Sequence, residues 1–135
     1  MIKGFEEQTL KLSEYELEVV IPTLIKGFKT KVGKQNSITN SKICNALNHS
    51  LKVKVSEPRI RKCIFYLRKH NLVPRLIATS KGYWIATSLK ELTDWEETLK
   101  GRIRAIEETL LYAKHQIGQW DNPNQQTHLF NNEQK

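Results

Sequence analysis

A mainly α fold with one small β-hairpin is what this sequence predicts, and three observations predict it. Ser, Thr or Asn residues stand at helix-capping distance ahead of successive apolar runs of helical period. Two short β-prone runs flank a Ser-Lys-Gly turn at 80–82. A heptad-like apolar stripe then extends over residues 89–120.

Residues 1–12 read as a flexible lead-in. Ser13 with Glu16 three residues on is a capping box, and Leu17, Val20, Ile21, Leu24, Ile25 and Phe28 follow at helical spacing. Pro22 inside that run predicts a kink, and Gly27 and Gly33 mark where the helix fades. Residues 32–37 read as a loop and Ile38 as one short strand. Thr39, Asn40 and Ser41 offer N-caps to a second helix striped by Ile43, Cys44 and Leu47, ending near His49 and Ser50. Ser56, Glu57 and Pro58 open a third helix, with Ser as cap and Pro in the first turn. Its inner face is Ile60, Ile64 and Leu67, and Asn71 ends it.

Residues 72–78 and 83–86 read as the two strands of the hairpin, with Pro74 marking the first as an edge strand. Ser88 with Glu91 is a second capping box, opening a long helix to about Gly118. Residues 121–135, rich in Asn and Gln, read as a disordered tail. The expected organisation is therefore a lead-in at 1–12, a compact domain at 13–87, a long helix at 88–118 and a tail at 119–135.

The chain has 135 residues, 22 Lys and Arg against 14 Asp and Glu, and a formal net charge of +8. Such an excess favours a polyanionic partner, since neutralising phosphates releases counterions. Cys44 and Cys63 sit among apolar helical residues without a second thiol or a His at ligand spacing, and read as buried thiols in a reducing compartment. The first seven residues carry no apolar run, so no signal peptide is expected, and no stretch approaches the ~20 apolar residues of a membrane span. These features predict a cytoplasmic protein of a bacterial host that does not enter the membrane.

Helix, short strand, helix, helix, strand, strand is the order of a winged helix-turn-helix, in which the third helix enters the major groove of double-stranded DNA and the hairpin is the wing. Lys52, Lys54, Arg59, Arg61, Lys62, Arg68 and Lys69 cluster around that third helix. At about 100° per residue, Lys62 and Lys69 fall opposite Ile60, with Arg59 and Arg61 flanking that face. Arg59, Arg61, Lys62 and Lys69 are therefore expected in or beside the groove, where Arg can pair bidentately with guanine. Thr39, Asn40 and Lys42 at the start of the second helix, and Arg75 on the strand with Ser80 and Lys81 at the hairpin tip, are expected on phosphates. Phe65 and Tyr66 point away from the core, and Trp84 reads as core or interface. The rival reading is a protein–protein adaptor that uses Phe65, Tyr66 and the long helix as its contact surface.

Residues 12–107 resemble small winged helix-turn-helix proteins of phages and prophages in Bacteroidetes-type hosts. The likeness is carried by Ser-Ile-Thr-Asn-Ser-Lys-Ile-Cys-Asn-Ala-Leu at 37–47, Ser-Glu-Pro-Arg-Ile-Arg-Lys-Cys-Ile at 56–64, Leu-Val-Pro at 72–74, Ser-Lys-Gly-Tyr-Trp-Ile-Ala at 80–86 and Leu-Lys-Gly-Arg-Ile-Arg-Ala-Ile at 99–106. The resemblance implies a recognition helix at 56–70 and a wing at 73–86, and leaves a role in replication or in transcription control open.

In the long helix, Leu89, Leu92, Leu99, Ile103, Ile106, Leu110, Ala113, Ile117 and Trp120 recur in alternating steps, with Glu96 occupying one seam position. A helix of some 30 residues spans about 45 Å, longer than one small domain covers. A coiled-coil-like homodimer through Leu92, Leu99, Ile103, Ile106, Leu110 and Ile117 is expected, with orientation left open; folding back onto its own domain is the alternative. In the tail, Gln126-Thr127-His128-Leu129-Phe130 resembles the pentapeptide by which bacterial proteins hook onto the replicative sliding clamp. The resemblance implies a clamp contact through Gln126, Leu129 and Phe130, against the alternative of a solubilising tail.

Catalytic chemistry is not expected. Residues 27–35 have five residues between the glycines rather than four, and Gln35 where a phosphate-binding loop needs Ser or Thr. His49, His70, His115 and His128 are scattered without metal-ligand spacing, so neither a metal nor a cofactor is expected.

Overall fold

A computed structural model describes residues 11–122. The chain divides into two compact units after Asp94. The first begins with the Ser13–Glu16 capping box: Glu16 N–H donates to Ser13 Oγ at 3.1 Å, and Ser13 N–H donates to Glu16 Oε1 at 2.8 Å. The opening turn is a π-helix, Glu16–Val20, in which Ile21 N–H reaches back to Glu16 O. It leads directly into α1 (Ile21–Phe28), with Pro22 in the first turn. The widened turn thus sits where Pro22 withholds an N–H and its ring crowds the preceding carbonyls, and the expected kink takes this form.

Helix α2 (Asn40–Leu51) starts at Thr39, whose hydroxyl accepts from Lys42 N–H at 3.2 Å. Helix α3 (Glu57–Lys69) starts at Ser56, whose hydroxyl accepts from Arg59 N–H at 3.4 Å. Beyond α3, Asn71 takes a left-handed conformation, φ 52°, and Leu72 N–H closes onto Leu67 O at 2.9 Å. This is the wide-loop helix cap that glycine usually makes and that Asn tolerates.

The hairpin pairs β1 (Leu76–Thr79) with β2 (Gly82–Ile85) antiparallel, Leu76 opposite Ile85 and Thr79 opposite Gly82. β1 is shorter than the sequence predicts, while β2 keeps its four residues and starts one residue earlier, at Gly82. Residues 72–75 stay outside because Asn71 and Arg75, φ 66°, both turn the backbone out of the extended region. Pro74 is therefore not an edge-strand residue, and Arg75 precedes the strand rather than lying on it. The expected strand at Ile38 reduces to one antiparallel bridge, Ile38 N–H to Tyr83 O at 3.0 Å and Tyr83 N–H to Ile38 O at 2.9 Å. Gly82 makes that approach possible: at φ 131°, a Cβ there would stand 2.8 Å from Ile38 O.

The three helices and the hairpin enclose one core, with Val20, Leu24, Phe28, Ile60, Ile64, Leu67, Leu76 and Tyr83 among its buried residues. Leu12, the last residue of the expected lead-in, is buried in the same core. Helix α4 (Leu89–Gly118) starts at the Ser88–Glu91 capping box, its residues from Trp95 on belong to the second unit, and none of its residues is buried. Among the described residues no helix is long and apolar enough to cross a membrane.

Candidate nucleic-acid interface

The surface of α3 divides into three parts around its buried strip of Ile60, Cys63, Ile64 and Leu67. Opposite the strip runs a crest of Pro58, Lys62, Phe65 and Lys69, with Phe65 57% exposed and Lys62 half-buried. Helical spacing places Arg61 and Arg68 together on one flank, and Arg59 and Tyr66 on the other.

Arg59 belongs to the fold, not to a groove, which corrects its expected role. Its Nε donates to Glu16 Oε2 at 2.9 Å, and its Nη2 donates both to Glu16 Oε1 and, at 2.9 Å, to Lys11 O. Burial works to raise the Glu16 carboxyl, but hydrogen bonds from Arg59 and Ser13 and the Arg59 charge outweigh it and hold the pKa below its ordinary value. Arg59 is shifted upward, chiefly by its hydrogen bond to Glu16. A charge neutralised in this way, on a side chain bound at three acceptors, is not available to a phosphate or a base.

The other flank is built differently. Asn40, in the first turn of α2, donates from Nδ2 to Glu57 O at 3.1 Å and contacts Glu57 Oε1 at 3.5 Å. Its Oδ1 accepts from the Tyr83 hydroxyl at 3.1 Å. One side chain therefore joins α2, the start of α3 and the hairpin; its amide is engaged at both ends, and the expected phosphate contact at the start of α2 falls to the backbone. Burial raises the Tyr83 phenol, and the positive charges of Arg61 and Arg68 oppose that shift. Glu57, the acidic residue within α3, is tied to Asn40 on this side.

Arg68 is the residue that sequence reasoning left off the candidate list. Its Nε is buried without a hydrogen-bond partner, and its guanidinium stands 5.9 Å from the centre of the Phe65 ring. A buried, unpaired guanidinium donor costs stability. The signal was available: Arg61 and Arg68 are seven residues apart, two helical turns, and so share a flank.

The remaining candidates spread around this surface. Thr39 uses its hydroxyl as the α2 cap, while Lys42 is exposed. Ser80 and Lys81 form the exposed hairpin tip, held by Lys81 N–H donating to Thr79 Oγ1 at 3.1 Å. Arg75 lies at the opposite end of the hairpin, lining a cavity of about 250 Å³ with Thr87, Ser88, Leu89 and Leu92. Trp84 is buried, donates from Nε1 to Glu91 Oε1 at 3.2 Å, and has Lys34 6.0 Å from its ring.

The chain matches no protein-family model, no curated protein and no solved structure. The site is therefore read from its own chemistry. Cys63 is fully buried, and burial first, then the Glu16 charge, pushes its thiol up to about 12, so it is no nucleophile near neutrality. Cys44 donates its thiol to Val55 O at 3.0 Å. Among the described residues no group of three or more His, Cys, Asp or Glu is placed to hold a metal ion.

Of the expected dimerisation residues, Leu92 is half-buried, while Leu99, Ile103, Ile106, Leu110 and Ile117 are exposed. Gln126, Leu129 and Phe130 lie outside the described residues.

Proposed function

We propose that residues 13–87 are a winged helix-turn-helix that binds double-stranded DNA, with α3 in the major groove and the β1–β2 hairpin as the wing. The observation that carries this reading is the pairing of Arg61 and Arg68 on one flank of α3, off its buried strip, where both charges act on the Tyr83 phenol. Lys62 and Lys69 continue this cationic surface along the crest around Phe65, and the acidic residues nearby are already engaged, Glu16 by Arg59 and Glu57 by Asn40. Arg61 and Arg68 offer planar donor sets suited to guanine or to phosphate. Lys42 and Lys81 act as point charges on the backbone on either side. The site takes part in replication or transcription control of phage type, in keeping with the resemblance of residues 12–107.

The test is fluorescence anisotropy on a mixed-sequence duplex at low and physiological salt. The wild type should bind at low salt and weaken steeply as salt rises, as counterion release requires. Arg61→Ala with Arg68→Ala should lower affinity by about 100-fold, taking each contact at roughly 1–3 kcal/mol. Unchanged affinity in the double variant overturns the reading. The exposure of Phe65 favours a second reading, a protein-docking surface, and its mark would be a partner interaction that is insensitive to salt and lost in Phe65→Ala.

A further inference from the structure

Helix α4 carries an apolar stripe that the described residues leave uncovered: Ile103 is 56%, Ile106 69%, Leu110 50% and Ile117 75% exposed. Thirty helical residues without a break hold this stripe along about 45 Å. Trp120, 84% exposed, continues it one turn on, its N–H bonded to Ile117 O at 3.2 Å. A contiguous exposed stripe of this kind, at alternating three- and four-residue steps, fits the seam of a coiled coil.

We propose that α4 pairs with α4 of a second copy of this chain, and that the two helices run antiparallel. The inference concerns residues 89–120 and stands apart from the DNA-binding reading. Orientation follows from the residue that breaks the stripe, Glu96. In a parallel, in-register pair every seam residue meets its own copy. Glu96 would then face Glu96, two like charges desolvated in the seam, and Ala113 would face Ala113 and leave a gap. An antiparallel pair centred between Arg104 and Ala105 resolves both faults at once. It sets Glu96 against Ala113, Leu99 against Leu110, and Ile103 against Ile106, each layer occurring twice by the two-fold axis.

The flanking charges agree with that arrangement. Lys114, beside Ala113, comes next to the Glu96 carboxylate of the other copy. Lys100 comes next to Glu107 of the other copy, again twice. Within its own chain Lys100 makes only exposed contacts, 3.7 Å to Glu96 and 3.5 Å to Glu97, which leave it free to re-pair at little cost. A parallel pair also gains one repeated contact, Arg102 with Glu107, so flanking charge alone does not choose. The buried Glu96 layer does, as a polar seam residue sets orientation in coiled coils generally.

The experiment uses the full-length chain without nucleic acid. Light scattering on the wild type should return the mass of a dimer. Leu99→Cys and Leu110→Cys, carrying tags of different length, are then oxidised separately and as a mixture, with wild type as the background for Cys44 and Cys63. The mixture should give a disulfide-linked pair of the two variants, and each variant alone should give several-fold less cross-linked product. Adding Glu96→Leu to Leu99→Cys should raise its self-cross-linking several-fold, because the repulsion that forbids the parallel pair is gone. A monomer, trimer or tetramer mass overturns the two-stranded pair. Efficient self-cross-linking of Leu99→Cys alone overturns the antiparallel orientation, and no response to Glu96→Leu overturns the role given to Glu96.

Discussion

Two arginines two residues apart on one helix have opposite fates. Arg59 and Arg61 share a local sequence and an intrinsic chemistry. Arg59 turns toward the segment that leads into α1 and is consumed by Glu16 and Lys11 O. Arg61 lies exposed on the other flank with Arg68, and both positive charges oppose the burial-driven rise of the Tyr83 phenol. The difference teaches that a basic helix is not a uniform cationic surface. One flank of α3 uses its charge to close the fold, and the other presents two arginines, Arg61 and Arg68, off the buried strip.

The largest expected effect breaks the folding flank. Arg59→Ala leaves the Glu16 carboxylate, 8% exposed as a side chain, without its charged partner. Stability in urea should fall by about 3 kcal/mol, the range for orphaning a buried ion. DNA affinity of the still-folded fraction should change less than threefold, and a larger loss would return Arg59 to the interface. Next is Gly82→Ala, which forces a Cβ against Ile38 O at a positive φ. It should cost about 2 kcal/mol and weaken DNA binding through the hairpin, with Ile38–Tyr83 amide exchange as the readout. Arg61→Ala alone comes third: affinity should fall about tenfold while the urea midpoint stays put, since little of the fold depends on that side chain.

Acid sharpens the same contrast. The folded pKa of Glu16 lies below its unfolded value, so its contribution to stability is complete above about pH 4.5 and disappears as pH falls through the lowered folded value. Glu16→Gln should be less stable than wild type at pH 7 and show a shallower decline below pH 4.5, measured by urea midpoints across pH. The smallest expected change is chemical: Cys63 should stay unmodified by a thiol reagent at pH 8 until the protein unfolds, given a pKa of about 12.

What was legible in the sequence was local. The Ser13–Glu16 and Ser88–Glu91 boxes, the Thr39 and Ser56 caps and the Asn71 stop each involve residues within a turn of one another, and each forms as its spacing predicts. The hairpin turn was legible too, but strand length was not. Two left-handed residues before β1, neither of them glycine, shorten it. In the site, helical spacing placed Arg61 and Lys62 correctly off the buried strip, and the same spacing would have paired Arg68 with Arg61.

Sequence alone determined the helices, their order, the apolar strip of α3 and the stripe of α4, because periodicity and capping act over a few residues. Only the tertiary structure decided which cations are free. Glu16 and Arg59 are 43 residues apart in sequence, as are Asn40 and Tyr83, and no local pattern announces either pair. Whether a charge is spent or available depends on which acceptor the fold brings within 3 Å of it, and that distance exists only once the core has closed.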